Sequence, residues 1–139
     1  MKRQQVLGEA RKRGYIVARS NAQEQHWARE YYRECERDRH PYARVTPRST
    51  WAAVEVDMDP AGQRLPKKTI RLLGEEIATL YAELPTRARG WYVYGNHTHV
   101  PKVPIERAEA LVTRLLGIVN QYLEAEVIFG PAATAPAAS

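Results

Sequence analysis

Between residues 50 and 122 the spacing of apolar residues switches from two to between three and four, back to two, and then to three or four again. That alternation restricts the fold more than any other feature of the chain. From Thr50 to Met58, Ala52, Val54, Val56 and Met58 fall on one side and Trp51, Ala53, Glu55 and Asp57 on the other, which predicts a half-buried strand. Asp59-Pro60-Ala61-Gly62 reads as a turn. Pro66 then suits a helix start and Pro85 a helix stop. Between them Ile70, Leu73, Ile77, Leu80 and Leu84 are spaced 3, 4, 3 and 4 apart, one apolar face of a helix. Trp91-Tyr92-Val93-Tyr94 and His97-Thr98-His99-Val100 are strand-like runs joined by Gly95-Asn96, the dipeptide of a tight hairpin. Pro101 and Pro104 are expected to end the second run. Ala108, Leu111, Val112, Leu115, Val119 and Tyr122 then mark a second helix face, and Val127-Ile128-Phe129 reads as a short last strand.

In order, residues 50–129 read β-α-β-β-α-(β): an α+β domain with two helices packed on an antiparallel sheet, the element order of a ferredoxin-like split βαβ sandwich. The chain divides into a basic segment 1–19, a charged surface helix 20–40, the core domain 48–129 and an Ala/Pro tail 130–139. Within the first segment, Gln4 to Lys12 followed by Gly14 and Tyr15-Ile16-Val17-Ala18 suits a helix and a short strand, with a flexible basic arm as the alternative. Ser20 and Asn21 are good caps for the charged helix. Its apolar stripe of Trp27, Ala28, Tyr31 and Cys35 is too thin for a central core position, so the helix is expected to lie over a surface or to contact another chain. Pro41 and Pro47 bracket what reads as an irregular linker.

A chain of 139 residues holds one domain. Cys35, the lone cysteine, has no disulfide partner in the chain, which fits a reducing, cytoplasmic setting. No run of eighteen apolar residues is present, so no membrane partner is expected, and no signal peptide is apparent. The net charge of +5 is unevenly placed. Residues 1–19 carry Lys2, Arg3, Arg11, Lys12, Arg13 and Arg19 against Glu9, a balance of +5. Residues 20–39 balance at −1 and the remainder at +1. Any hold on a polyanion is therefore expected from those six basic residues. On the charged helix Arg29, Arg33 and Arg37 form one stripe and Glu30, Glu34 and Asp38 the next. The pairing predicts a solvated face or a protein interface built from Trp27, Arg29, Tyr31, Arg33 and Arg37.

His97 and His99 alternate along a strand, so both imidazoles leave one face, an arrangement able to chelate a metal ion. Glu55 and Asp57 share a face of the earlier strand and are the available third ligands. This combination resembles the HUH endonuclease family, which uses a ferredoxin-like sheet, a His-hydrophobic-His strand and a tyrosine nucleophile on a later helix. The resemblance implies His97 and His99 as ligands, Glu55 or Asp57 as the third, and Tyr122 as nucleophile. The chain departs from the pattern at Thr98, in having no lysine after Tyr122 at the family's spacing, and in a short interval from the histidines to Tyr122. From the residues alone the two histidines are expected to be hydrogen-bonded on a solvated face, with no metal or other cofactor bound; His97, His99 and Asp57 are kept as the metal candidates. Cys35 with His40 is a weaker ligand pair. Arg89-Gly90-Trp91-Tyr92-Val93-Tyr94 resembles the aromatic strand of an RNA-recognition motif, although it falls on the second strand of the count rather than the third. With Arg87, Arg89 and Trp51 it is a base-stacking candidate.

Phosphate-loop, dinucleotide and serine-hydrolase motifs are absent from the sequence. The expected function is a non-enzymatic accessory or regulatory protein that engages nucleic acid or an acidic protein surface through its basic N-terminal segment. A structural component of a phage particle or other large complex, or a homo-oligomer, is the second expectation. A metal-dependent single-strand nuclease is the third.

Overall fold

The computed structural model describes residues 2–19, 21–57, 64–85, 90–94 and 97–129, with the side chains of 124–129 left aside. Its class is α+β: four helices and a five-stranded sheet in the order α1 (Arg3–Arg13), β1 (Tyr15–Val17), α2 (Ala22–Arg37), β2 (Tyr42–Pro47), β3 (Trp51–Asp57), α3 (Lys67–Ala82), β4 (Tyr92–Tyr94), β5 (His97–Pro104) and α4 (Ile105–Phe129). The strands are ordered β1-β2-β3-β5-β4. β1 runs parallel to β2, and every other neighbouring pair is antiparallel. The sheet is thus mixed rather than purely antiparallel, because α2 carries the chain back from β1 to the same end of the sheet.

Alternation along each strand assigns the two faces. Tyr15, Ala43, Val45, Ala52, Val54, Val56, Thr98, Val100 and Val103 are buried on one side. Leu73, Ile77 and Leu80 of α3 and Ala108, Leu111, Val112, Leu115, Leu116 and Val119 of α4 close over them as the main core. The α3 stripe is the one expected from its spacing. On the opposite face Ile16 joins Leu7 and Ala10 of α1 with Ala28, Tyr31, Tyr32 and Cys35 of α2 in a second core, against which Tyr42 packs. Those two helices roof β1 and β2, and the β3, β5 and β4 part of that face carries polar and aromatic side chains instead.

Local chemistry explains the element ends. Gly14 adopts a left-handed conformation (φ 79°) and stops α1, its amide donating to the Ala10 carbonyl. A Cβ at Gly14 would also lie 3.1 Å from Leu116, so a side chain is disfavoured there on both counts. The Asn21 side chain accepts hydrogen bonds from the amides of Gln23 and Glu24 at 2.8 and 3.1 Å, fixing the start of α2.

Three expectations need correction. The stretch between Pro41 and Pro47 is not a linker but strand β2, with Ala43 and Val45 in the core. Proline at its last position leaves the ladder intact. Val127-Ile128-Phe129 continues α4 rather than forming a strand, since no Gly or Pro stands between Gly117 and it to end the helix. Pro104 ends β5 as expected, but the strand runs on through Pro101, which lies beyond the reach of three-residue β4 and at a register shift against β3, where a missing N–H is tolerated. The Gly95-Asn96 and Asp59–Gly62 turns lie outside the described residues. Among the described residues no helix is long and apolar enough to cross a membrane.

Candidate metal centre on the open sheet face

Strand register sets the side chains of the open face in two rows. The first runs Arg44 on β2, Glu55 on β3, His99 on β5 and Tyr92 on β4. The second runs Tyr42, Asp57, His97 and Tyr94 across the same strands. Each residue stands directly opposite its neighbour, with strands about 4.8 Å apart.

Glu55 is the centre of this array. One of its carboxylate oxygens, Oε1, lies 3.4 Å from His99 Nδ1 and 3.8 Å from His97 Nε2. Both separations exceed an aligned hydrogen bond. His99 Nδ1 is buried and has no hydrogen-bond partner among the described residues. One ligand atom from each of Glu55, His97 and His99 can be chosen so that all lie within 4.8 Å of one another. Bonds of about 2.0–2.2 Å at near-tetrahedral angles put ligand atoms roughly 3.3–3.6 Å apart, so the two measured edges are close to what one ion would span. His97 is the largest cause holding the Glu55 carboxyl below its usual pKa, and Arg44, His99 and the charge on His97 act in the same direction against its partial burial. Glu55 is therefore anionic at neutral pH.

The surroundings divide into an aromatic side and a cationic side. Tyr92 tilts beside both imidazoles, with ring centroids 5.4 Å from His99 and 6.1 Å from His97. Tyr94 projects with 71% of its surface exposed, and the Arg64 guanidinium lies 5.9 Å from its ring. Trp51, farther along the same face of β3, has Arg48 and Lys102 at 5.8 and 6.0 Å. On the other flank Arg44 Nε donates to the Tyr32 hydroxyl at 3.2 Å, with its guanidinium 4.7 Å from that ring. Burial pushes the Tyr32 hydroxyl up to about 12 despite Arg44. Burial first, then the facing Asp57 carboxylate, raises Tyr42 as well. Both phenols stay protonated.

Of the two carboxylates left open by the sequence, Glu55 is the one that clusters with the histidines. Asp57 is in the next row and is not part of the cluster. Tyr122 packs with α4 against the main core, on the far side of the sheet from the histidines, and does not share their site. Arg87 and Arg89 lie outside the described residues. Cys35 is buried, its thiol raised chiefly by desolvation, and His40 Nδ1 is 2.7 Å from the Pro41 carbonyl; they form no ligand cluster among the described residues. No protein-family model, curated protein or solved structure matches this chain.

The basic segment is not an arm. Arg3 pairs with Glu30 at 2.7 Å, Arg11 with Glu34 at 2.6 Å and Arg13 with Glu109 at 3.4 Å. Lys2, Lys12 and Arg19 make no ion pair among the described residues. Of the expected interface on α2, Trp27 and Tyr31 are buried within the chain, whereas Arg29, Arg33 and Arg37 are exposed. Sequence reasoning passed over Arg44, Tyr42 and Tyr32. The signal was present in Tyr42-Ala43-Arg44-Val45-Thr46, a strict alternation hidden by its two flanking prolines.

Proposed function

We propose that the open sheet face is a divalent-metal centre held by Glu55, His97 and His99, and that it cleaves phosphodiester bonds in single-stranded nucleic acid. The observation that carries this reading is the convergence of two imidazole nitrogens on one Glu55 oxygen at 3.4 and 3.8 Å, with His99 Nδ1 buried and without a hydrogen-bond partner among the described residues. Three protein ligands leave at least one position for water and substrate, the pattern of catalytic rather than structural sites. A bound ion supplies Lewis acidity at a phosphoryl oxygen and lowers the pKa of its water. Water then adds to phosphorus as the P–O ester bond breaks, giving a phosphate monoester and an alcohol. The exposed rings of Tyr92 and Tyr94 and the half-buried Trp51, each near a cationic or imidazole group, suit the faces of unpaired bases, which supports a single strand over a duplex.

A reading in which Lys2, Arg3, Arg11, Lys12, Arg13 and Arg19 hold a polyanion has less support, since three of the six are already neutralised by carboxylates. Incubating tag-free protein with labelled single-stranded DNA and RNA, with Mn²⁺ or Zn²⁺ or with chelator, tests the proposal. Metal-dependent cleavage that disappears in Glu55→Gln and in the His97→Ala/His99→Ala double variant is expected. A metal-loaded protein that leaves every strand intact, or cleavage that survives both variants, would overturn it.

A further inference from the structure

Beside the metal cluster, a cavity of about 380 Å³ opens between α2 and β2. Gln25, Arg29, Tyr32, Arg44 and Thr46 supply its polar lining, and no carboxylate is among the lining residues. We infer that this cavity binds the phosphate of a nucleotide, with Arg29 and Arg44 as its two cationic contacts.

Three observations lead there. The first is charge. By sequence α2 reads as a helix of matched stripes, but Glu30 and Glu34 are taken by Arg3 and Arg11 of α1. Arg29 has no acidic residue three or four positions away on α2 and no ion-pair partner among the described residues, and it borders the cavity as a cation. The second is preorganisation. Arg44 is held from one side by the Tyr32 hydroxyl at Nε and by the Tyr32 ring, which restrains its guanidinium beside the cavity while its charge also acts on Glu55. A planar, pre-positioned guanidinium suits bidentate contact with a phosphate. The third is size and place. The volume lies in the range of small-molecule sites and exceeds what a bare phosphate needs. Arg44 stands directly opposite Glu55 in the register, so the cavity begins about one strand spacing, roughly 4.8 Å, from the metal ligands. A strand with one phosphate at the cluster would bring a neighbouring one within reach. The Thr46 hydroxyl and Gln25 amide complete a lining of donors, although the Gln25 amide already donates to the Arg19 carbonyl.

The cavity needs no metal, so its test is made without one. Chelator-treated full-length protein is titrated calorimetrically with inorganic phosphate, with deoxythymidine 5′-monophosphate and with deoxythymidine. Binding of the monophosphate, weaker binding of inorganic phosphate and none of the nucleoside are expected. Binding of inorganic phosphate as tight as that of the nucleotide would overturn the nucleotide and leave an anion site. Arg29→Ala changes an exposed residue and should fold normally; it should weaken the monophosphate about tenfold, the effect of one lost charge-assisted contact. Arg44→Lys should weaken it similarly. Absence of monophosphate binding at millimolar concentration, or affinity unchanged from wild type in both arginine variants, would overturn the inference. So would loss of binding in His97→Ala/His99→Ala with Arg29→Ala unaffected, since the phosphate would then sit on the histidines. Failure of metal to bind leaves these results untouched, and failure here leaves the metal reading standing.

Discussion

Glu55 sits where most of the charge on the open face meets, and its protonation should be measurable. Its carboxyl is held low in the folded chain, by His97 first and then by Arg44 and His99. A depressed carboxylate pKa stabilises the fold fully above the unfolded value, about 4.3, and that contribution disappears as pH falls through the lower folded value. Urea unfolding followed downward from pH 6 should therefore show wild type losing stability through this acid range more steeply than Glu55→Gln. Parallel pH profiles would mean the carboxylate has no special partner in the folded state. Alternation made the shared face of His97 and His99 legible from sequence. The choice between Glu55 and Asp57 was not, because both leave the same side of β3 and only the register against β5 separates them. Arg44 was hidden for a related reason: two prolines made its strand look like a connection.

At the scale of elements, α3 is the clearest case of sequence determining structure, since its apolar stripe is regular and both its ends are marked by proline. Ile77 is fully buried at the middle of that stripe. Ile77→Asp combines a lost aliphatic side chain with an unpaired buried charge, and should cost at least about 4 kcal/mol against a total stability of roughly 5–15 kcal/mol. A chemical melt near that of wild type would contradict the packing described here. The α1–α2 contact should respond differently to its two kinds of residue. Arg3→Ala and Arg11→Ala remove ion pairs whose arginines are more than half exposed, and should each melt close to wild type. Leu7→Ala, at 3% exposure in the second core, should cost about 2–4 kcal/mol. Paired melts of the three variants check that order. The caps at Asn21 and Gly14 announced these helices, but their packing partners were not readable, because an amphipathic stripe says that a face is covered and not by what.

Across the whole molecule, the strand expected at Tyr15–Val17 makes the first segment part of the sheet, parallel to β2. β1 pairs with β2 along Tyr15, Ile16 and Val17, and Tyr15 enters the main core while Ile16 enters the second. Deleting residues 1–19 should remove both cores' shared strand, expose the β2 edge and abolish cooperative thermal unfolding, with aggregation visible by light scattering. A truncated protein that melts as sharply as the full chain would show the segment to be dispensable. Sequence order alone does not supply this topology, since a parallel pair joined through a helix leaves no local turn signal. The same arrangement, with α1 and α2 roofing only β1 and β2, leaves the Glu55, His97 and His99 cluster uncovered. A catalytic role for this face therefore requires that the cluster bind an ion. Calorimetric titration of Zn²⁺ and Mn²⁺ into chelator-treated, tag-free protein tests this most directly. One ion per chain is expected for at least one of the two metals, with affinity at least about tenfold weaker in each of Glu55→Gln, His97→Ala and His99→Ala while Asp57→Asn changes little. No saturable uptake of either metal, or equal affinity in all four variants, would contradict it.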